Sequence, residues 1–157
     1  MNPLKFPALR LLLWGLATLL ATLPLWMAPS SATAATADNP LAAERWKTRP
    51  VVLVVPVDDH PLLRRVRGAL RETATREAFL DREMVLYTVV AGQGRRNDVA
   101  LSARQTRALL EALRLDAAGA PTFVLVGKDG GTKMTEGADV DLAAVFAEID
   151  RMPMRQR

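Results

Sequence analysis

A short apolar run between two chain breakers places the strongest constraint on the fold. Residues 123–126, Phe-Val-Leu-Val, follow Ala120-Pro121-Thr122 and lead into Gly-Lys-Asp-Gly-Gly at 127–131. A run of this length, rich in β-branched and aromatic residues and closed by an Asp-Gly-Gly turn, predicts a buried strand entering a tight hairpin. Because proline has no amide hydrogen to give to a sheet, Pro121 must lie at or before the first residue of that strand.

A charged and then apolar start to the chain predicts a signal peptide. Lys5 and Arg10 are followed by an apolar segment, residues 11–27, and then by small residues. An uncleaved membrane anchor is the alternative, because a spanning helix needs about 20 apolar residues. Pro24 and the small residues after the apolar segment favour a cleaved signal.

Two Ala-x-Ala patterns end at Ala34 and Ala37, and they predict cleavage after one of these residues. We therefore expect residues 1–37 to be a cleavable signal peptide and residues 38–157 to form one exported domain. The domain would be periplasmic or secreted, with no stable membrane insertion after cleavage.

The charge balance argues against a nucleic-acid partner. Two of the 21 basic residues and none of the 17 acidic ones precede residue 38, so residues 38–157 carry a net charge of +2. No block of lysine and arginine stands out, and aromatic residues make up only 5% of the chain, too few for a base-stacking surface.

The chain contains no cysteine and a single histidine, His60. The lack of cysteine excludes thiol redox catalysis, thiolate nucleophiles and cysteine metal ligands. One histidine argues against a zinc or copper site and leaves a Ser-His-Asp triad with only one candidate base. We expect no cofactor, and a domain that is stabilised by its apolar core without disulfides.

Seven main elements are predicted after residue 38, in the order βαβαββα. Continuous apolar strands, expected to be covered on both faces, alternate with segments whose apolar residues recur at helical spacing. The predicted strands are residues 51–55, 84–90, 123–126 and 132–135, and the predicted helices are residues 62–80, 103–113 and 142–149. This order predicts an α/β domain with three layers, α/β/α, around a mixed four-stranded sheet.

Two connecting segments carry more specific expectations. A short helix that starts at Pro40 is expected to pack Leu41 and Trp46 onto the domain. The glycine- and arginine-rich segment 92–97 is expected to be a loop.

The element order, with a proline directly before the third strand, resembles the thioredoxin fold. Ala120-Pro121-Thr122 is similar to the proline loop of that fold, and Lys128-Asp129-Gly130 is similar to its hairpin turn. The resemblance implies a cis Ala120–Pro121 bond that faces the loop from Asp58 to Pro61.

A narrower resemblance covers almost all of residues 38–157. Trp-Lys-Thr-Arg-Pro at 46–50, the loop with Asp59, Gly-Lys-Asp-Gly-Gly-Thr-Lys at 127–133 and Ile-Asp-Arg-Met-Pro-Met-Arg at 149–155 carry it. They resemble an uncharacterised thioredoxin-like family of exported bacterial proteins, a domain of unknown function that also occurs in animal secreted sushi-repeat-containing proteins. The family implies fold and export, with no settled activity.

The chain departs from working thioredoxins at the reactive loop. Where they carry Cys-x-x-Cys, this sequence has Asp59-His60-Pro61-Leu62. Disulfide exchange requires a thiolate, so thiol-disulfide oxidoreductase activity is excluded.

The best candidate groove combines two segments, Asp58-Asp59-His60-Pro61 and Ala120-Pro121. A helix N-terminus stabilises nearby negative charge and presents free amide groups. His60 is a candidate general base or a pH-sensitive contact. The alternative is purely structural, with Asp58 or Asp59 capping the helix and His60 exposed in the loop.

The C-terminal residues Arg151, Met152, Met154 and Arg155 are a possible docking tail, because methionines adapt to a partner surface. The alternative is that both methionines fold back onto the domain.

The function expected from these features is a binding or accessory module for a protein or peptide partner in the cell envelope. The alternatives are an enzyme without thiols that uses Asp58, Asp59 and His60, a divergent relative of the oxidoreductases, and a structural role through the basic tail. Different changes distinguish these functions. Replacing His60 would abolish catalysis, and deleting residues 151–157 would abolish a structural role of the tail.

Overall fold

The computed structural model describes residues 38–153 and 155. The predicted signal peptide and Met154 lie outside the described residues. Within them, six strands form one mixed sheet in the order β4-β3-β2-β1-β5-β6. The strands are β1 (Arg49–Val55), β2 (Met84–Val90), β3 (Gln93–Arg96), β4 (Val99–Ala100), β5 (Thr122–Val126) and β6 (Thr132–Glu136).

A short 3-10 helix and four α-helices surround the sheet in the described part of the chain. The 3-10 helix is Pro40–Glu44, and the α-helices are α1 (Pro61–Ala69), α2 (Thr73–Asp81), α3 (Ala103–Leu113) and α4 (Leu142–Asp150). Ser102 and Gln105 form the capping box that the sequence predicts at the start of α3.

The structure confirms that the long apolar runs of the sequence form strands at the centre of the sheet. β1 pairs with β2 in parallel and with β5 antiparallel, and β6 pairs antiparallel with β5. All seven residues of β1 are buried, as expected for a strand that is covered on both faces.

The two faces of the sheet support separate apolar clusters. Val51, Leu53 and Val55 face helices α1, α2 and α4, whereas Val52 and Val54 face the 3-10 helix and α3. This alternation follows from the two-residue period of a strand. The result is a mixed α/β domain in which helices cover both faces of one sheet.

The prediction of four strands is wrong, because the sheet has six. The segment expected to be a loop forms β3, which pairs antiparallel with β2, and then turns into the short edge strand β4. Gly92, Asn97 and Asp98 have positive φ and make the two turns. β3 contains Gln-Gly-Arg-Arg and so lacks the apolar residues by which the buried strands were recognised.

The predicted helix 62–80 is also two helices. α1 ends at Ala69, with Leu70 as its C-cap, and α2 begins at Thr73. The break is consistent with the low helix propensity of nearby Gly68. The second helix then brings Phe79, 6% exposed, into the cluster beneath α1 and α4.

Candidate functional site

The two predicted groove segments lie at the same end of the sheet. In the antiparallel pairing of β1 with β5, Val54 is opposite Thr122. The loop that leaves β1 therefore starts beside the Ala120-Pro121 segment that enters β5. Among the described residues, no hydrogen bond or ion pair joins the two segments. A groove between them would therefore depend only on how close the two backbones lie.

His60, rather than Asp58 or Asp59, is the N-cap of α1. Its Nδ1 accepts a hydrogen bond from the amide of Leu62 at 3.2 Å, and Pro61 occupies the first turn. An N-cap normally uses a side-chain oxygen for this purpose, and here an imidazole nitrogen replaces it. Because Nδ1 accepts a backbone N–H, it is not available as a catalytic base in this geometry.

The hydrogen bond from the amide of Leu62 to His60 should contribute to the stability of the domain. Replacing His60 by alanine is expected to lower the free energy of unfolding by about 1 kcal/mol, because the amide of Leu62 loses its partner. Replacing His60 by asparagine, a good N-cap, should leave stability near that of the wild type. Urea denaturation of both variants measures the difference, and equal losses in the two would show that the cap contributes nothing.

The two aspartates have different surroundings. Asp58 accepts a hydrogen bond from Nη1 of Arg67 at 3.0 Å, and its side chain is 76% exposed. Asp59 is exposed and forms no ion pair with any residue in the described part of the chain. The structure therefore places Asp58 in a surface ion pair and leaves Asp59 available to solvent.

An open cavity of about 480 Å³ lies beside Asp58, at the carboxyl ends of β1 and β2. Polar and charged side chains from three elements line it, namely those of Asp58, Arg67, Gln93 and Arg95. Ligands of open α/β sheets commonly bind outside the carboxyl ends of parallel strands. Arg95 and Gln93 are not part of the groove predicted from the sequence, because the pattern of the segment that carries them favours a flexible loop over an anion site.

The described part of the C-terminal tail folds back onto the domain. Met152 packs against the core cluster under α4, and Arg155 donates to the carbonyl of Asp81 at 2.7 Å and pairs with its carboxylate. Arg151 pairs with Glu148 at 2.7 Å and remains 69% exposed. Met152 and Arg155 therefore both contact the domain, and Met154 lies outside the described residues.

A buried carboxylate is the centre of a polar cluster in the described part of the chain. Glu44, 5% exposed, accepts hydrogen bonds from the hydroxyl of Tyr87 at 2.8 Å, from Nε of Arg96 at 2.7 Å and from the hydroxyl of Thr48 at 2.6 Å. The cluster links the end of the 3-10 helix to β2 and β3. No sequence pattern indicated it, because Tyr87 and Arg96 are 43 and 52 residues away from Glu44.

These contacts shift the ionisation of the cluster. Burial raises the pKa of Glu44, but the hydrogen bonds from Arg96, Thr48 and Tyr87 together outweigh burial and hold the pKa below its usual value. Burial, followed by the hydrogen bond to Glu44, raises the pKa of Tyr87. The hydrogen bond to Glu44 raises the pKa of Arg96. Glu44 is therefore held as a carboxylate by three donors, which is a structural arrangement rather than that of a proton carrier.

The opposite end of the sheet is held by further ion pairs. Arg49 is 1% exposed and donates to the carbonyl of Arg82 at 2.9 Å and to Glu83 at 3.4 Å. Lys128 also pairs with Glu83, and its hydrogen bond lowers the pKa of that carboxyl. These contacts fix the start of β1 to the end of β5.

A cavity of about 410 Å³ adjoins Lys128, but its cations are already neutralised. Lys133 pairs with Asp129 at 2.6 Å, and Arg151 pairs with Glu148 at 2.7 Å. The cavity therefore does not have the free positive charge that an anion site needs.

A family model for a domain of unknown function (DUF4174) matches residues 40–157. The chain belongs to this family. The matched range contains every strand and helix described above, so the sheet, the Asp58 cavity and the Glu44 cluster are all parts of the DUF4174 domain.

Neither the curated proteins nor the solved structures contain a match to the chain. Within the described part of the DUF4174 domain, no three or more acidic, histidine or cysteine side chains come together as a metal site would require. None of the helices there has the length and apolar character needed to cross a membrane.

Proposed function

We propose that the DUF4174 domain is an exported, thiol-free thioredoxin-like module that binds polypeptide segments beside Pro121 and the loop from Asp58 to Pro61. The observation that carries the proposal is the antiparallel pairing of β1 with β5, which sets Val54 opposite Thr122 and so brings this loop and the Pro121 segment to the same end of the sheet. Nδ1 of His60 caps α1 and Asp58 forms an ion pair with Arg67, which fix the shape of the loop, while Asp59 remains exposed for contact with a partner.

The arrangement of the sheet supports the thioredoxin-like part of the proposal. The four strands predicted from the sequence lie side by side as β2-β1-β5-β6, and β3 and β4 extend one edge. Pro121 immediately precedes β5, next to the loop that follows β1. An extended peptide would lie across this end of the sheet and bond to exposed backbone, with side chains reaching the Asp58 cavity.

The proposal includes export of the domain from the cytoplasm. The charged and apolar leader with Ala34 or Ala37 as the cleavage residue would place the domain in the periplasm or outside the cell. A domain without cysteine is independent of the redox state of that compartment.

A panel of immobilised synthetic peptides tests the binding function. The chain expressed from the full-length sequence and purified from the envelope fraction should bind a subset of the peptides. Replacing Asp59 or Pro121 by alanine should weaken that binding, and replacing Arg76 should not, since Arg76 is exposed on α2. Binding that both groove variants leave unchanged contradicts the proposal.

The His60 variants separate binding from catalysis. An enzyme that uses His60 as a base would lose its activity in both His60→Ala and His60→Asn. A binding module would retain function in the asparagine variant, because the cap of α1 is preserved. Loss in the asparagine variant, with the fold intact, would favour the enzyme.

A further inference from the structure

Trp46 has an unusual position for a large aromatic residue. The sequence predicts that it packs onto the domain, but its side chain is 63% exposed, and that prediction is wrong. Its φ is 64°, in the left-handed region, where bulky residues are uncommon and glycine is favoured. Trp46 occupies this position because the chain turns there from the 3-10 helix into β1.

Hydrogen bonds to Glu44 and to Lys128 hold the turn that carries Trp46. The amides of Lys47 and Thr48 both donate to the carbonyl of Glu44 at 3.0 Å, and the hydroxyl of Thr48 donates to its carboxylate at 2.6 Å. The amide of Trp46 donates to the carbonyl of Lys128 at 2.7 Å. The backbone around Trp46 is thus rigid, although its side chain lies in solvent.

Packing does not explain a tryptophan here. Glycine would relieve the left-handed conformation, whose cost for other residues is about 1–2 kcal/mol. The exposed indole gains only part of the burial that would offset this cost. A rigid, exposed aromatic side chain is instead typical of an interface anchor, because tryptophan is enriched among residues that dominate binding energy.

The neighbours of Trp46 indicate the chemistry of a partner. Arg45 and Lys47 are both exposed, and neither forms an ion pair with any residue that the structure describes. The two cations therefore flank the indole without an ion-pair partner among the described residues, because Asp129, which lines the same cavity as Arg45, pairs with Lys133 at 2.6 Å. A partner with carboxylates on either side of an apolar residue would complement this charge pattern.

A cavity lined in part by Arg45, the residue before Trp46, could hold the apolar side chain of the partner. It has a volume of about 410 Å³ and lies between the 3-10 helix, the end of α3 and the β5–β6 hairpin. Leu41, Ala42 and Leu113 form apolar parts of its wall, and Arg45 lies at its edge over Gly130. Its size is within the range of ordinary ligand pockets.

We propose that Trp46, Arg45 and Lys47, with the cavity beside Leu41 and Leu113, form a second interaction surface that binds an acidic polypeptide segment containing an apolar side chain. This surface goes beyond the groove at Pro121. Seven residues of β1 separate the two, a distance of about 20 Å along the strand. The domain would then contact two polypeptide segments at opposite ends of one sheet.

A membrane is a less suitable occupant than a polypeptide. Interfacial binding requires a broad apolar face with several inserted side chains, and here one tryptophan stands between two cations. Anionic vesicles are therefore included in the test as the competing outcome.

The experiment measures binding of fluorescently labelled synthetic peptides to the chain expressed from the full-length sequence and purified from the envelope fraction. One peptide set alternates glutamate with leucine or phenylalanine, and comparison sets have lysine for glutamate or serine for the apolar residue. Vesicles of phosphatidylcholine and phosphatidylglycerol form a further arm. We expect binding to peptides of the acidic and apolar set only.

Matched variants identify the surface. Trp46→Gly and the pair Arg45→Glu with Lys47→Glu should each weaken binding by about tenfold or more. Leu80→Ala is the control for Trp46, because Leu80 is also 63% exposed, and Arg76→Glu is the control for charge. Both controls should bind as the wild type does.

The stability of Trp46→Gly gives an independent readout. The variant should unfold at the same or a higher urea concentration than the wild type, since glycine suits the left-handed φ. Trp46→Phe, which keeps an aromatic ring, should retain part of the binding. The proposal is overturned if no acidic and apolar peptide binds through Trp46, if the serine or lysine sets bind equally well, or if the vesicles alone show Trp46-dependent binding.

Discussion

Replacing Glu44 by glutamine is expected to lower the free energy of unfolding by about 3 kcal/mol, as measured by urea denaturation at neutral pH. The carboxylate is 5% exposed and accepts three side-chain hydrogen bonds, two of which bring Tyr87 and Arg96 to the 3-10 helix. An amide has one acceptor oxygen, which can serve Tyr87 and Arg96 only without the negative charge that pairs with Arg96, and it places its N–H₂ group against the hydroxyl of Thr48. This loss of unfolding free energy is at the low end of the range for buried ion pairs, because the Arg96 side chain is 43% exposed.

Two variants separate the buried carboxylate from ordinary surface charge. Glu148→Gln makes the same chemical change in a solvent-accessible pair, in which Arg151 is 69% and Glu148 35% exposed, and should cost about 0.5 kcal/mol or less. Tyr87→Phe removes one hydrogen bond and should cost about 1 kcal/mol. If Glu44→Gln were no more destabilising than Glu148→Gln, the cluster would not stabilise the fold as described.

The contribution of Glu44 should also depend on pH. Its pKa in the folded domain is below the ordinary glutamate value, so the folded state favours the carboxylate more than the unfolded state does. This stability is fully present above the unfolded pKa and is lost as pH falls through the lower folded pKa. The gap in stability between wild type and Glu44→Gln should therefore be constant near neutral pH and should narrow in acid.

Replacing Phe123 by alanine is expected to cost about 3–5 kcal/mol. Phe123 is 0% exposed, lies opposite Leu53 in the β1–β5 ladder, and belongs to the larger core cluster between the sheet and helices α1, α2 and α4. Removing the ring loses its burial and leaves a cavity in a core whose neighbours are held by the sheet. Thermal and urea unfolding measure the loss.

The control for Phe123 is Val99→Ala on the edge strand β4, where the side chain is 70% exposed and the change should be within about 0.5 kcal/mol. Phe123→Leu, which keeps most of the apolar volume, should lie between the two. A small effect of Phe123→Ala would mean that β5 is not the buried centre of the domain, and it would undermine the position assigned to Pro121.

The buried strands could be predicted because their signal is local. Residues 51–55, 84–90 and 123–126 are almost entirely apolar runs, and the structure includes each of them in a strand of the central sheet. β3 could not be predicted in the same way, because its residues are polar and its pairing with β2 depends on a turn of positive-φ residues. The extra edge of the sheet is thus a product of tertiary pairing rather than of an apolar pattern.

The position of the candidate groove could also be predicted from local signals, but its detailed contacts could not. The loop at Asp58 and the entry to β5 at Pro121 follow directly from strand boundaries, and β1–β5 pairing brings them to one end. The capping role of His60 was not predicted, since aspartates precede it and are the commoner caps. The Glu44 cluster and the exposure of Trp46 depend on contacts between distant elements, which local spacing does not encode.

The most direct test of the proposed function is site-specific photocrosslinking in the native envelope. A photoreactive amino acid is placed at Asp59, which is exposed beside the proposed groove, and at Arg76, which is exposed on α2 as a control. We predict that the probe at position 59 crosslinks to a defined polypeptide, that the probe at position 76 does not, and that Pro121→Ala reduces the product. Equal crosslinking from both positions, or none from position 59, would contradict a binding function at this groove.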